Sequence, residues 1–269
     1  MPLNNAVNAQ TQGFQSLNTS TGVWNGRTLT PGTGITITNQ DGTGGNPTIS
    51  ASSSPPDTSF GTSVIVDDFY FTSSGVSGDT NWENSGGVRP VNGVANHPGI
   101  VRIASTSSAG SMLKTDGATS NLPLLLANGT VTMEMVIRVP STGANNIYLG
   151  LSDTTTVATT TEPANGVYFN YASGTNSGNW VGKTSSASSR SSANSNNTVT
   201  AGQWDRLKIV VNSGGTSVSF FVNGTEITNS PLATNIPTVD LGMFFTCSNL
   251  AVPLDVDLVT LKYVLAVSR

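Results

Sequence analysis

Fifteen acidic residues, one histidine and one cysteine bound the chemistry open to this 269-residue chain. Glycoside hydrolysis needs two carboxylates flanking the sugar bond. Asp255-Val256-Asp257 has the alternate spacing that puts two acids on one face of a strand, but no glutamate follows it. Asp67 and Asp68 are adjacent and so point to opposite faces of a strand. The single histidine, His97, precedes Pro98-Gly99 and reads as a turn residue rather than the base of a Ser-His-Asp triad. One His and one Cys do not make a usual zinc site. Cys247 sits in the apolar run Met243-Phe244-Phe245-Thr246-Cys247 and reads as a buried thiol that cannot form an intrachain disulfide. A lone unpaired cysteine suits folding in a reducing cytosol. No residue set supplies nucleophile, base and orienter together, so the sequence is read as non-enzymatic, with no cofactor.

Two binding chemistries are left. Oxygen ligands are plentiful, and Asp67, Asp68, Asp255 and Asp257 are the candidates for Ca²⁺. No dense Asp/Asn/Gly ligand loop surrounds them, so hydrogen bonding and register fixing is their expected role. Sugar binding calls for a flat ring set among hydrogen-bonding groups. Trp82 lies in the polar stretch Gly78–Asn84, and Trp180 follows Asn176-Ser177-Gly178-Asn179. Tyr168 and Asn170 lie opposite the apolar face of their strand. These four residues are the expected glycan ligands. Trp204 heads a core-like strand and is expected to pack.

Charge excludes other partners. The net charge is −4, and the basic residues are scattered singly from Arg27 to Arg269. Attraction to phosphate needs clustered Lys and Arg, so neither nucleic acid nor an anionic membrane is an expected partner. The start Met1-Pro2-Leu3-Asn4-Asn5 has neither a basic segment nor an apolar core, so no signal peptide is read there. No apolar stretch approaches membrane-spanning length.

These side chains must be positioned by strands. Ser, Thr, Asn and Gly dominate, and only 10% of residues are charged. Such chains favour pleated strands and tight turns, and no amphipathic helix of three turns is visible. Residues 1–22 are polar and aperiodic and read as an extended N-terminal anchor. Residues 23–51 hold Ile35-Thr36-Ile37-Thr38, a turn at Asn39–Gly42, and Thr48–Ala51. This unit has too few apolar side chains for a core of its own, which points to a shared face in a homotrimer. Ser52-Ser53-Ser54-Pro55-Pro56 opens a linker over 52–62. From 63 to 269 about ten strands follow one another without helices, the pattern of an antiparallel sandwich or jelly roll. Val131, Met133, Met135, Ile137 and Val139 share one face of the clearest strand. Leu207, Ile209 and Val211 do so in another, and Asn223-Gly224 signals a hairpin. In the last strand the apolar phase shifts between Leu258 and Val259, which suggests a β-bulge.

Trp24-Asn25-Gly26-Arg27-Thr28-Leu29, then Gly32–Gly42, then Gly45-Asn46-Pro47-Thr48-Ile49-Ser50 resembles a segment recurring in bacteriophage tail fibres. Trp204–Val211, Phe220–Thr225 and Leu254–Val259 resemble the closing half of concanavalin-like or laminin-G-like sandwiches. Val66-Asp67-Asp68-Phe69 and His97–Val101 are similar to phage versions of that lobe. The resemblance implies an all-β virion fibre protein, assembled in the host cytoplasm. It would contact other virion proteins through residues 1–51 and host-surface glycan through the sandwich. A capsid decoration or head-fibre protein with the same plan is the alternative, followed by a polysaccharide depolymerase. Laminarinase-like relatives of the sandwich carry Glu-x-Asp-x-x-Glu on one strand, which this chain lacks.

Overall fold

The computed structural model describes residues 14–18, 20, 23–27, 29–30, 35–40, 46–51, 61–69, 82–85, 87–104, 111–115, 124–143, 146–153, 162–248 and 252–266. The chain divides into two compact units, Met1–Thr58 and Ser59–Arg269. In the first unit, β1 (Phe14–Asn18) pairs antiparallel with β2 (Val23–Arg27), from Phe14 opposite Arg27 to Asn18 opposite Val23. A strand thus lies inside the stretch read from sequence as an aperiodic anchor. β3 (Ile35–Thr38) pairs with β4 (Thr48–Ala51), with Ile37 opposite Ile49.

The second unit is an all-β sandwich of two antiparallel sheets. Eight strands make the first sheet: β5 (Thr62–Asp67), β7 (Gly87–Val91), β8 (Ile100–Ala104), β10 (Gly129–Arg138), β15 (Trp204–Val211), β16 (Val218–Val222), β17 (Thr225–Glu226) and β19 (Leu254–Leu265). Their order is β17-β16-β15-β10-β19-β8-β7, and β5 lies on the β8 side of β19, further along it. The second sheet runs β14 (Ser189–Thr198), β13 (Asn179–Ser186), β12 (Gly166–Ala172), β11 (Asn146–Ser152), β18 (Gly242–Cys247), β9 (Ser111–Lys114) and β6 (Glu83–Ser85). The fold is therefore a concanavalin-like jelly-roll sandwich.

Period-two alternation builds the core. Every second residue of β10 from Val131 to Ile137 is fully buried, and Leu207, Ile209 and Val211 face the same interior from β15. Phe169 and Trp180 come from the other sheet, and the Phe169 and Phe220 rings meet edge to face across the interior at 5.3 Å. Gly182 makes room for Phe220, since a Cβ there would lie 2.4 Å from the ring. Asn223 and Gly224 both take positive φ, as a type I′ hairpin turn requires. Cys247 is free and buried.

The irregularity in β19 falls one residue before the expected phase shift. Val136 faces Leu258 and Ile137 faces Val256, leaving Asp257 as the extra residue of a bulge. The bulge turns Asp257 toward His97, whose Nδ1 lies 2.7 Å from its Oδ2.

Candidate functional site

The first finding concerns the tryptophans. Trp82 and Trp180 do not stand in solvent: they are 4% and 0% exposed and belong to the core. Trp82 packs against Phe69 and Phe245, and Trp180 against Phe169 and Tyr171. A buried indole N–H needs an acceptor. Trp82 Nε1 donates to Asp67 at 2.7 Å, and Trp180 Nε1 donates to Asp205 at 2.9 Å. Asp205 also accepts from the Asn223 side chain at 2.9 Å, tying the hairpin turn to the end of β15. This corrects the expectation of exposed stacking rings: both indoles are packing residues pinned by a carboxylate.

The four calcium candidates are likewise divided among separate partners. Asp67 points inward, where Phe69 N–H and Trp82 reach its two oxygens. Asp255 points outward and is fully buried between Arg102, at 2.6 and 2.9 Å, and Arg138, at 2.7 and 3.1 Å. Hydrogen bonding to Asp255 holds the Arg102 pKa above its ordinary value. Asp257 is committed to His97, and Asp68 is exposed. Among the described residues no three His, Cys, Asp or Glu side chains gather as a metal site would require. Trp204 does pack, but on the outer face rather than in the core. His97 stacks on it at 4.0 Å, and the Arg138 guanidinium lies 4.6 Å from its centroid.

Tyr168 and Asn170 come together with residues that sequence reading missed. Both lie on the outer face of the seven-stranded sheet. The ladder sets Tyr168 between Lys183 and Gly150, with Phe244 beyond, and sets Asn170 beside Tyr148, with Thr246 beyond. Tyr148, Tyr168 and Phe244 form an apolar cluster separate from the core. Their rings meet edge to face at 6.0 and 6.2 Å. Asn170 Nδ2 donates to the Ile147 carbonyl at 3.1 Å.

A strap over this face completes the arrangement. Ser185, Gly166, Ser152 and Gly242 form a row of small residues across four strands. Glu162–Asn165 packs on the Ser185 end of this row, with the Pro163 and Ala164 carbonyls 3.0 and 2.9 Å from the Ser185 hydroxyl. Ala187 and Ser188, at the turn between β13 and β14, take positive φ, a costly conformation for residues other than glycine. The strap holds them there: Ala187 N–H donates to Asn165 Oδ1 at 2.8 Å and Ser188 N–H to the Ala164 carbonyl at 2.9 Å. Glu162 is the polar centre. Tyr168 O–H donates to it at 2.9 Å, Lys183 Nζ at 2.6 Å, and Arg190 Nε lies 3.2 Å away. Parity along β12 signalled Tyr168 and Asn170. Nothing in the sequence signalled that Glu162 would meet Tyr168.

Burial pushes the Tyr148 hydroxyl up to about 12, helped by the Glu162 charge. Tyr168 is raised further by the same two causes in the same order, and Tyr171 is raised by burial. The folded state thus keeps protons that the unfolded chain gives up near pH 10. The stability these groups contribute is complete below that pH and is lost as pH climbs toward 12 and beyond. Tyr148, Tyr168 and Tyr171 should stay protonated through pH 10, so tyrosinate absorbance should stop short of its full amplitude while the fold holds. The rest of the amplitude should rise together with loss of near-UV dichroism. A single full step near pH 10 with the fold intact would contradict this.

Fold and site together define a concanavalin-like β-sandwich with a separate apolar cluster on the outer face of its seven-stranded sheet. Residues 96–259, more than half of the chain, match the family described as SO2946-like, C-terminal domain, and the chain belongs to that family. The crystal structure of SO2946 from Shewanella oneidensis MR-1, a protein of unknown function, superposes with TM-score 0.54 at 16% identity. That likeness covers 77% of this chain and 89% of that one. The carbohydrate recognition domain of Emp47p superposes with TM-score 0.53 at 11% identity, over 78% of this chain and 96% of that one. The metal-free Emp46p carbohydrate recognition domain gives 0.54 at 8%, over 72% and 93%. At these identities the likeness is one of fold. No curated protein sequence matches.

Proposed function

We propose that the chain is a non-enzymatic, glycan-binding fibre protein of a bacteriophage particle, with the outer face of the seven-stranded sheet as its sugar site. One observation carries the site: Tyr148, Tyr168 and Phe244 form a second buried cluster, separate from the core between the sheets, with Lys183, Arg190 and Glu162 at its edge. An aromatic cluster bordered by convergent polar groups is what a sugar requires. Tyr148 is the least buried ring of the three, at 8% exposure, and its hydroxyl has no hydrogen-bond partner among the described residues. The carbohydrate recognition domains sharing this fold support the class of ligand. The tail-fibre-like segment at residues 24–50 supports the virion setting. Ile49 supports self-association, because it is 63% exposed beside Ile37 in a two-stranded ladder that cannot bury it alone. A homotrimer would offer avidity to weak single sites.

The test is adsorption of the full chain to host cells and to purified host glycan. Tyr148→Phe should weaken binding several-fold, and Tyr148→Ala about tenfold or more, with Tyr148→Phe melting as the parent does. Unchanged adsorption in both variants would remove this face from the reading. A protein that coats the capsid and takes up no host glycan would instead be a decoration protein.

A further inference from the structure

The basic residues that are scattered along the sequence are gathered by the fold. Arg89, Arg102, Arg138, Arg206, Lys208 and Lys262 all lie on the outer face of the eight-stranded sheet, six of the chain's eleven Lys and Arg. Strand parity puts them there, because each is one residue away from an inward-facing neighbour: Val88, Val101, Ile137, Leu207, Leu207 and Leu261 respectively. Glu134, Glu226, Asp255 and Asp257 are acids on this face, and the exposed Asp68, next to the inward-facing Asp67, adds a fifth at its edge, so six cations stand against five carboxylates on a chain of net charge −4. Arg102 and Arg138 are held by Asp255, and Arg206 by Glu134. Arg89, Lys208 and Lys262 have no carboxylate partner among the described residues.

We infer that this face docks a polyanionic polysaccharide with widely spaced carboxylates, separately from the glycan face of the other sheet. Three features select that partner. Lys208 on β15 and Lys262 on β19 flank β10, which puts their strands about 10 Å apart. Duplex nucleic acid presents one charge per ~1.7 Å of axis, far denser than this face can neutralise. Each lysine also has an apolar neighbour of the kind a sugar ring's C–H face requires. Lys208 Nζ lies 4.4 Å from the centre of the Phe221 ring, and Lys262 sits opposite Val64, which is 58% exposed, with Val66 two residues on. A phosphate backbone would gain nothing from Val64 and Val66. The pairing of Arg102, Arg138 and Arg206 within the face leaves three isolated cations rather than a continuous basic track.

The probe is hyaluronan, with one carboxylate per disaccharide, beside neutral dextran and duplex DNA, each titrated with the full-length chain. Hyaluronan should bind and weaken about tenfold as salt rises from about 50 to about 200 mM, while dextran should not bind. The triple variant Arg89→Gln, Lys208→Gln, Lys262→Gln should lose about tenfold or more of that affinity with an unchanged melting temperature. It should also adsorb to host glycan through the Tyr148 face as the parent does, so the two sites can fail independently. If the triple variant melts lower, Lys262→Gln alone, at an exposed position, carries the comparison with a several-fold loss. Equal hyaluronan binding by parent and variant, equal binding of dextran, or preference for DNA would overturn the inference.

Discussion

Asp255→Ala is expected to cost about 3 kcal/mol of sandwich stability, near the lower end of what breaking a buried ion pair costs. The carboxylate is fully buried and accepts from four guanidinium nitrogens, two on Arg102 and two on Arg138. Alanine would leave two like charges facing each other across β19. The Arg102 and Arg138 side chains are 26% and 19% exposed, and that limits the loss. For a domain of this size the melting temperature should fall by about 6–12 °C. Asp255→Asn, which keeps an acceptor and removes the charge, should fall between alanine and the parent. Added salt should recover part of the alanine variant's loss by screening the arginine pair. A melting point within about 2 °C of the parent would mean that the arginines relax into solvent and that Asp255 contributes little.

The pairing on which that expectation rests was out of reach of the sequence, whereas the strands that make it were not. The alternation from Val131 to Val139 gave both faces of β10, and Asn223-Gly224 marked the hairpin of β16 and β17, because those signals are local. The phase shift at Leu258 and Val259 marked a bulge, one residue from where Asp257 makes it. Asp255 was visible only as an acid in a strand, since Arg102 and Arg138 lie 153 and 117 positions away. The tryptophans failed for a related reason. The polar neighbours of Trp82 and Trp180 suggested exposed loops. Yet Trp180 is the second residue of β13, and its parity continues through Gly182, which clears space for Phe220. A strand can be polar in composition and still send one large ring inward. The scattered cations are the same lesson from the opposite side: single basic residues at outward parity on several strands become one charged face.

Trp180→Ala should therefore act on folding before it acts on binding. Removing a fully buried indole from among Phe169 and Tyr171 leaves a cavity, and such truncations cost about 3–5 kcal/mol. Asp205 loses its indole donor in the same step and keeps only Asn223 at its other oxygen. Trp180→Phe separates the two effects. Phenylalanine fills much of the volume but supplies no N–H, so the remaining loss of about 1–3 kcal/mol reports the unpaired carboxylate. Adding Asp205→Asn to Trp180→Phe removes the buried charge and should recover part of that loss if the unpaired charge is its source. Denaturant unfolding followed by far-UV dichroism measures all three variants. A Trp180→Ala chain within about 1 kcal/mol of the parent would contradict the packing role. Adsorption per folded molecule decides the rest: with Tyr148, Lys183 and Glu162 on the opposite face of the same sheet, the Trp180→Phe chain should bind glycan as the parent does.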